Sequence, residues 1–202
     1  MGRKKRKRSH LGRAKNHSRS TSCENDPTSP KLTSVHIVTA PGRRTLGRLK
    51  VGNFVIPVTL GRSGISGNKR EGDGSTPRGV FHPLRLWWRK DRSVRPATAL
   101  PVRAITKLDA WCEDASDRRY NRAIRVAPDA VGDRLARNDH LYDYIVEINH
   151  NARPRIANRG SAVFIHLMRD DMSPTAGCVG LRRDAMLRLL AMLTTKTRIV
   201  IG

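Results

Sequence analysis

The sequence predicts a mainly β fold with one clear late α-helix over about residues 182–194. Two observations carry this. Short apolar runs rich in β-branched residues recur along the chain, separated by Gly, Pro and charged clusters, as strands bounded by turns require. A single stretch near the end instead repeats its apolar positions at three- and four-residue steps. No internal repeat accompanies either pattern.

Taken in order, the strand-like runs are "SVHIVTA" (34–40), "GNFVIPVTLG" (52–61), "GVFHPLRLWW" (79–88), "YDYIVEINH" (142–150), "SAVFIHLM" (161–168) and "RIVIG" (198–202). Pro57 has no amide hydrogen to give a neighbour, which marks its run as an edge or a bulge. Between 106 and 141 the pattern turns polar and irregular and reads as a long functional loop with short helical turns. After Leu181, residues Ala185, Met186, Leu189, Leu190 and Leu193 form the apolar stripe of the helix.

With 202 residues, 38% of them apolar, the chain can bury one core of ordinary size. Its charge is less ordinary. The net value is +23, and nine of the 40 Lys and Arg stand in the first twenty residues without one Asp or Glu, so the remainder still carries +14. Such a balance favours polyanions: nucleic acid, anionic lipid or a carboxylate-bearing wall polymer. Residues 1–31 are too polar to offset their ordering entropy and read as a disordered basic tail, leaving 32–202 as the folded domain. "RKKRKR" within that tail is either a polyanion contact or simply a solvated extension. No 7–15-residue apolar segment follows the basic start, so no secretory signal is read, and no run of ~18 apolar residues predicts a membrane span. Oligomeric state is not encoded in any of these features.

Three cysteines, Cys23, Cys112 and Cys178, are an odd and widely spaced set, so no disulfide framework is expected. Without a C-x-x-C pair, no metal or cofactor is expected either. Cys178 stands apart in "PTAGCVGLRRDAMLRLL", between Gly177 and Gly180 and just ahead of the helix. Glycines allow the tight turn that exposes a nucleophile, and the turn amides and helix N-terminus would favour a thiolate. A small buried cysteine that merely packs is the alternative. Of seven histidines, His166 in "AVFIHLM" lies on the strand leading back to this turn, and His140 and His150 flank "LYDYIVEIN". His166 could be the base for Cys178, or a core histidine satisfied by backbone.

The stretch "HLMRDDMSPTAGCVGL" resembles the catalytic signature of the L,D-transpeptidase family, the YkuD-type domain, in which a histidine precedes Ser/Thr-x-Gly-Cys. "GNKREGDGSTPRGVF" (67–81) resembles that family's Lys-rich turn and Thr-Pro-x-Gly-x-Phe element, with Thr76, Pro77, Gly79 and Phe81 in those places. "WCEDASDRRYN" and "LYDYIVEINHN" are similar to a compact bacterial branch. The resemblance spans roughly 34–202. It implies a β-sandwich-like domain, Cys178 as nucleophile, His166 as proton donor and acceptor, and peptidoglycan stem peptides as substrate in the cell envelope. Leu167, Ala176 and Gly180 stand where the family often has Gly, His and Arg, so the grip on a substrate carboxylate falls to Arg182 or Arg183. Gly177 and His140 complete the implied substrate contacts. The resemblance implies an acyl-enzyme with a stem tetrapeptide, release of D-Ala and transfer to an amine, giving 3→3 cross-links. Hydrolysis by an L,D-carboxypeptidase or cysteine amidase is the alternative within the class. A nucleic-acid-binding module or a non-catalytic wall-binding protein is the alternative outside it; nine aromatics, none in the tail, count against the former.

Overall fold

The computed structural model describes residues 1–2, 31–127 and 133–202. The basic tail assigned to residues 1–31 lies almost wholly outside the described residues. In chain order the elements are β1 (Ser34–Ala40), β2 (Arg43–Val51), β3 (Phe54–Thr59), β4 (Ile65–Ser66), β5 (Thr76–Pro77), β6 (Gly79–Phe81), β7 (Pro83–Trp88) and β8 (Val102–Ala104). There follow β9 (Asp109–Cys112), β10 (Arg122–Arg125), β11 (Asp133–Arg134), β12 (Tyr144–Ile148), β13 (Phe164–Leu167), β14 (Val179–Leu181), α1 (Arg183–Met192) and β15 (Arg198–Ile201). The mainly β class with one late helix is observed.

Ten strands form one sheet in the order β6-β15-β1-β2-β3-β14-β13-β12-β7-β8. Alternate residues of its central strands enter two different cores, as the two-residue period of a strand dictates. Leu86, Val146, Ile165 and Val179 face α1, whose Ala185, Met186, Leu189 and Leu190 are buried against them. Trp87, Ile145, Phe164 and Cys178 point the other way. They meet Trp111 of a three-stranded sheet, β10-β9-β11, so the molecule is layered on both faces of the large sheet. Leu189→Ala, which empties a fully buried position between helix and sheet, should destabilise the domain by about 2–5 kcal/mol in urea unfolding.

Seven of the fifteen strands, β1, β3, β6, β7, β12, β13 and β15, fall within the runs read from sequence, and the main differences have physical causes. The 79–88 run is two strands, broken at His82 and paired with different partners. Strand β2 is missing from the sequence reading because Gly47, Leu49 and Val51 alternate with charged residues in a way that resembles a polar turn. The described part of the stretch from 106 to 141 has turns, at 114–120, but it is not one long loop. It carries β9, β10 and β11, a small sheet whose inner residues, Ala110 and Trp111, are buried. Pro57 stands opposite Arg48 of β2, on the part of β3 that lies beyond its single pairing with β14 at Thr59–Gly180. The missing amide therefore costs no ladder bond on that side.

Strands β13 and β14 run parallel, with Ile165 opposite Val179 and His166 opposite Gly180. Antiparallel strands can turn back tightly, but parallel ones need a crossover, here supplied by residues 168–178. This pairing sets the relation between the histidine and the cysteine.

Candidate active site

Continuing the β13–β14 register one step back places Cys178 beside Phe164, so His166 and Cys178 lie on the same face of adjacent strands. They are about 4.8 Å apart across the strands and two residues apart along them. Tyr142 links the pair. Its ring packs edge-on against His166 at 5.3 Å between centroids, and it lines the same cavity as Cys178. His166 Nδ1 lies 2.7 Å from the Leu167 carbonyl oxygen. A carbonyl only accepts, so Nδ1 carries the proton and the neutral ring keeps its lone pair on Nε2. The orienting group for His166 is thus backbone.

The sulfur sits in a polar notch of an otherwise apolar core. Its S–H donates to the Ala162 carbonyl oxygen at 3.1 Å, and the Phe164 N–H donates to the sulfur at 3.3 Å. Only 8% of Cys178 and 6% of His166 is exposed. Burial pushes the thiol up to about 12, against the pull of the Phe164 amide. Burial likewise pushes the imidazole down to about 4, against the Leu167 carbonyl. Both groups are therefore neutral in the resting protein.

The turn before Cys178 needs its glycine. Gly177 has φ +143, and a Cβ there would lie 2.8 Å from the Ser75 carbonyl oxygen. Its N–H is already engaged by Thr175 Oγ1 at 3.1 Å, so it is not an available substrate donor. Thr175 Oγ1 also donates to the Cys178 carbonyl at 2.7 Å, and Thr76 Oγ1 reaches the same oxygen at 3.5 Å. The Thr76-Pro77 element and the Gly-Cys element, 102 residues apart, thus meet at one carbonyl.

The expectation that the helix N-terminus assists the thiolate is not met. Helix α1 begins five residues after Cys178, but the extended strand β14 fills most of that interval. At about 3.3 Å per residue, the first helical turn lies well beyond the range of its terminal charge. Arg182, Arg183 and His140 are not brought to the sulfur either; they line a separate cavity of about 830 Å³ with Arg169 and Asp184. Arg183 forms a close ion pair with Asp143 and lies over the Tyr144 ring, Arg182 pairs with Asp184 at 3.7 Å, and His140 Nε2 meets the Met168 carbonyl at 3.0 Å. Gly180 has a steric explanation: a Cβ would lie 2.3 Å from Thr59 Oγ1. That hydroxyl has no hydrogen-bond partner among the described residues. Gly180→Ala should lower stability by about 1–3 kcal/mol, and adding Thr59→Ala should recover part of the loss in a thermal double-mutant cycle.

The cavity that Cys178 lines measures about 330 Å³ and is rich in both signs of charge: Arg62, Lys69 and Arg137 against Glu71, Glu113 and Asp133. Sequence reasoning named none of these as site residues, although Lys69 lies in the quoted Lys-rich turn and Glu113 in "WCED". Lys69 is buried and bonds Asp73 Oδ1 at 2.5 Å and the Arg70 carbonyl at 3.0 Å. Although burial pushes Asp73 up, the Lys69 ammonium and the Ser75 and Arg70 amides hold its carboxyl well below the usual range. Glu113 keeps contact with solvent at the mouth, yet the surrounding protein, then Asp133 and Glu71, push its carboxyl up to about 7. Among the described residues no three His, Cys, Asp or Glu side chains gather into a metal-sized cluster, and no helix is long and apolar enough to cross a membrane. Cys112 is a second buried thiol, in β9.

Fold and motif order together define a mainly β domain with a late glycine–cysteine turn. More narrowly, the sequence profile of the YkuD domain, the L,D-transpeptidase catalytic domain, matches residues 34–201, and the chain belongs to that family. The family acts on peptidoglycan peptides and is usually cell-wall-associated. Similar solved structures include an L,D-transpeptidase from Mycobacterium tuberculosis H37Rv, at 13% identity over 83% of this chain and 57% of that one, with a TM-score of 0.36. L,D-transpeptidase 3 from Mycobacterium tuberculosis is similar at 14% identity over 83% of this chain and 60% of that one, with a TM-score of 0.37, and is also known with a faropenem-derived adduct. The chain spans less than two thirds of the length of these proteins. No curated protein matches it.

Proposed function

We propose that residues 32–202 form the catalytic unit of a peptidoglycan L,D-transpeptidase of the cell envelope, with Cys178 as nucleophile and His166 as its proton acceptor and donor. The observation that carries this reading is the shared sheet face of the two side chains, with Nδ1–H tied to Leu167 so that Nε2 keeps its lone pair. When a stem tetrapeptide covers the cavity, the thiol gives its proton to Nε2 and leaves the Ala162 carbonyl. The sulfur attacks the carbonyl carbon of the third stem residue. The amide bond to D-Ala breaks, and the His166 imidazolium protonates the departing amine. An acceptor amine then attacks the thioester carbonyl, gives its proton to Nε2, and the C–S bond breaks to return the thiol. The Phe164 amide, already aimed at the sulfur, stabilises its charged form during both halves.

The burial of the sulfur favours one rival, a relative that binds wall without turning it over. Mass spectrometry of stem tetrapeptides incubated with the protein, with and without an amine acceptor, separates the readings. A covalent adduct at Cys178, loss of D-Ala and acceptor-dependent cross-linked product are expected. D-Ala loss without cross-linking even at high acceptor identifies a hydrolase. Absence of any adduct, also with a thiol-reactive carbapenem, leaves the binding protein.

A further inference from the structure

Two more cavities are tied to the one that Cys178 lines through shared lining residues. The first, about 350 Å³, shares Lys69 with it; the second, about 430 Å³, shares His150 and Arg153 with the first. They form one track, and its walls are basic. Arg78, Arg159 and Arg153 line the first cavity, and Arg153, Arg155 and Arg85 the second. Glu147 is the one carboxylate among the described residues lining these two cavities. It is already engaged by Arg85 at 3.2 Å and by Trp87 Nε1 at 2.7 Å.

Some arginines elsewhere in the chain are closely paired. Arg89, Arg103, Arg119 and Arg137 each meet an aspartate at 2.6–2.8 Å. Among the described residues no carboxylate lies within ion-pair distance of Arg78, Arg153, Arg155 or Arg159. Arg155 donates through Nε to the Asn121 carbonyl at 3.2 Å, and Arg159 to Asn68 Oδ1 at 3.0 Å; both keep further N–H groups for a ligand. Burial, then the repulsion of Arg122 and Arg153, holds the Arg155 guanidinium below its ordinary value. Like charges gathered in a concavity, most of them without a carboxylate partner, fit an anion that arrives from outside.

The shape of the track argues for carboxylates rather than bases. Single-stranded nucleic acid is held by aromatic faces as much as by charge, and the aromatics bordering the track, Phe81, Trp111 and Phe164, are buried. We propose that the track from Lys69 to Arg153 and Arg155 seats a second, carboxylate-bearing stretch of the wall polymer, so that the protein grips its substrate far beyond the reacting carbonyl. This rests on the reading of Cys178 given above.

The test compares the full chain with Arg153→Glu/Arg155→Glu, and with Arg153→Gln/Arg155→Gln in case charge reversal impairs folding. Binding is read by co-sedimentation with purified insoluble peptidoglycan at several salt concentrations, and site chemistry by acylation of Cys178 with a short stem tetrapeptide. Binding should weaken about tenfold and lose most of its salt dependence, while short-peptide acylation stays within about twofold. Unchanged sedimentation overturns the proposal, as does a parallel loss of both readouts. Loss of binding to duplex DNA with full retention of peptidoglycan binding also overturns it. If even the unmodified chain forms no adduct, the assignment of Cys178 fails while sedimentation still decides the role of the track.

Discussion

Cys178→Ala is expected to abolish acyl-enzyme formation and to lower D-Ala release by at least about 10⁴-fold, the scale on which removal of a covalent nucleophile acts. The fold should survive. The side chain lost is small, and the main-chain turn is held independently by Thr175 and Thr76 on the Cys178 carbonyl. Cys178→Ser is the sharper control. Its hydroxyl can keep both partners, donating to Ala162 and accepting from Phe164, yet it is a far weaker nucleophile than a thiolate. A serine variant that melts like the parent but forms no adduct assigns the loss to chemistry. Full D-Ala release by either variant would remove Cys178 from the mechanism.

His166→Gln is expected to cost about 10²–10⁴-fold in acylation, the usual range for a positioned acid–base group. Its pH signature distinguishes this from a packing defect. The folded protein holds the imidazole near 4, below its ordinary value of 6.5, so an unfolded chain takes up a proton first as pH falls. Stability contributed by neutral His166 is therefore present above about 6.5 and is lost progressively down to about 4. The thiol works in the opposite direction. An unfolded chain loses its proton near 9 and the folded one only near 12, so stability falls as pH rises through that interval. Thermal melts should show the acid-side loss in the parent and a smaller one in His166→Gln, with the alkaline loss shared by both. Alkylation of resting Cys178 by iodoacetamide should stay slow at neutral pH and climb toward pH 12. A fast, pH-independent reaction near neutrality would mean that the sulfur rests as a thiolate.

Much of this could be read from residues alone, because local rules and tertiary structure agree there. The stripe Ala185, Met186, Leu189, Leu190 and Leu193 is buried as its spacing requires, and Gly177 sits where only glycine fits. What was missed depends on contacts between distant segments. Charged residues in β2 hide a half-buried strand, and the polar stretch after residue 106 conceals a small sheet whose Trp111 caps the face bearing Cys178. Arg182 and Arg183 are close to Cys178 in sequence, but an intervening extended strand carries them to another cavity. Conversely, Lys69, Glu113 and Asp133 are far away in sequence and become neighbours only through the packing of loops against that face.

The parallel pairing of β13 and β14 has an evolutionary corollary. Register, rather than the connecting segment, fixes how imidazole and thiol stand to each other. Insertions or deletions between Arg169 and Pro174 can therefore reshape the neighbouring cavity that Arg169 and Met172 line without disturbing that relation. Divergent descendants of this domain can vary that neighbouring surface while inheriting the same placement of His166 and Cys178.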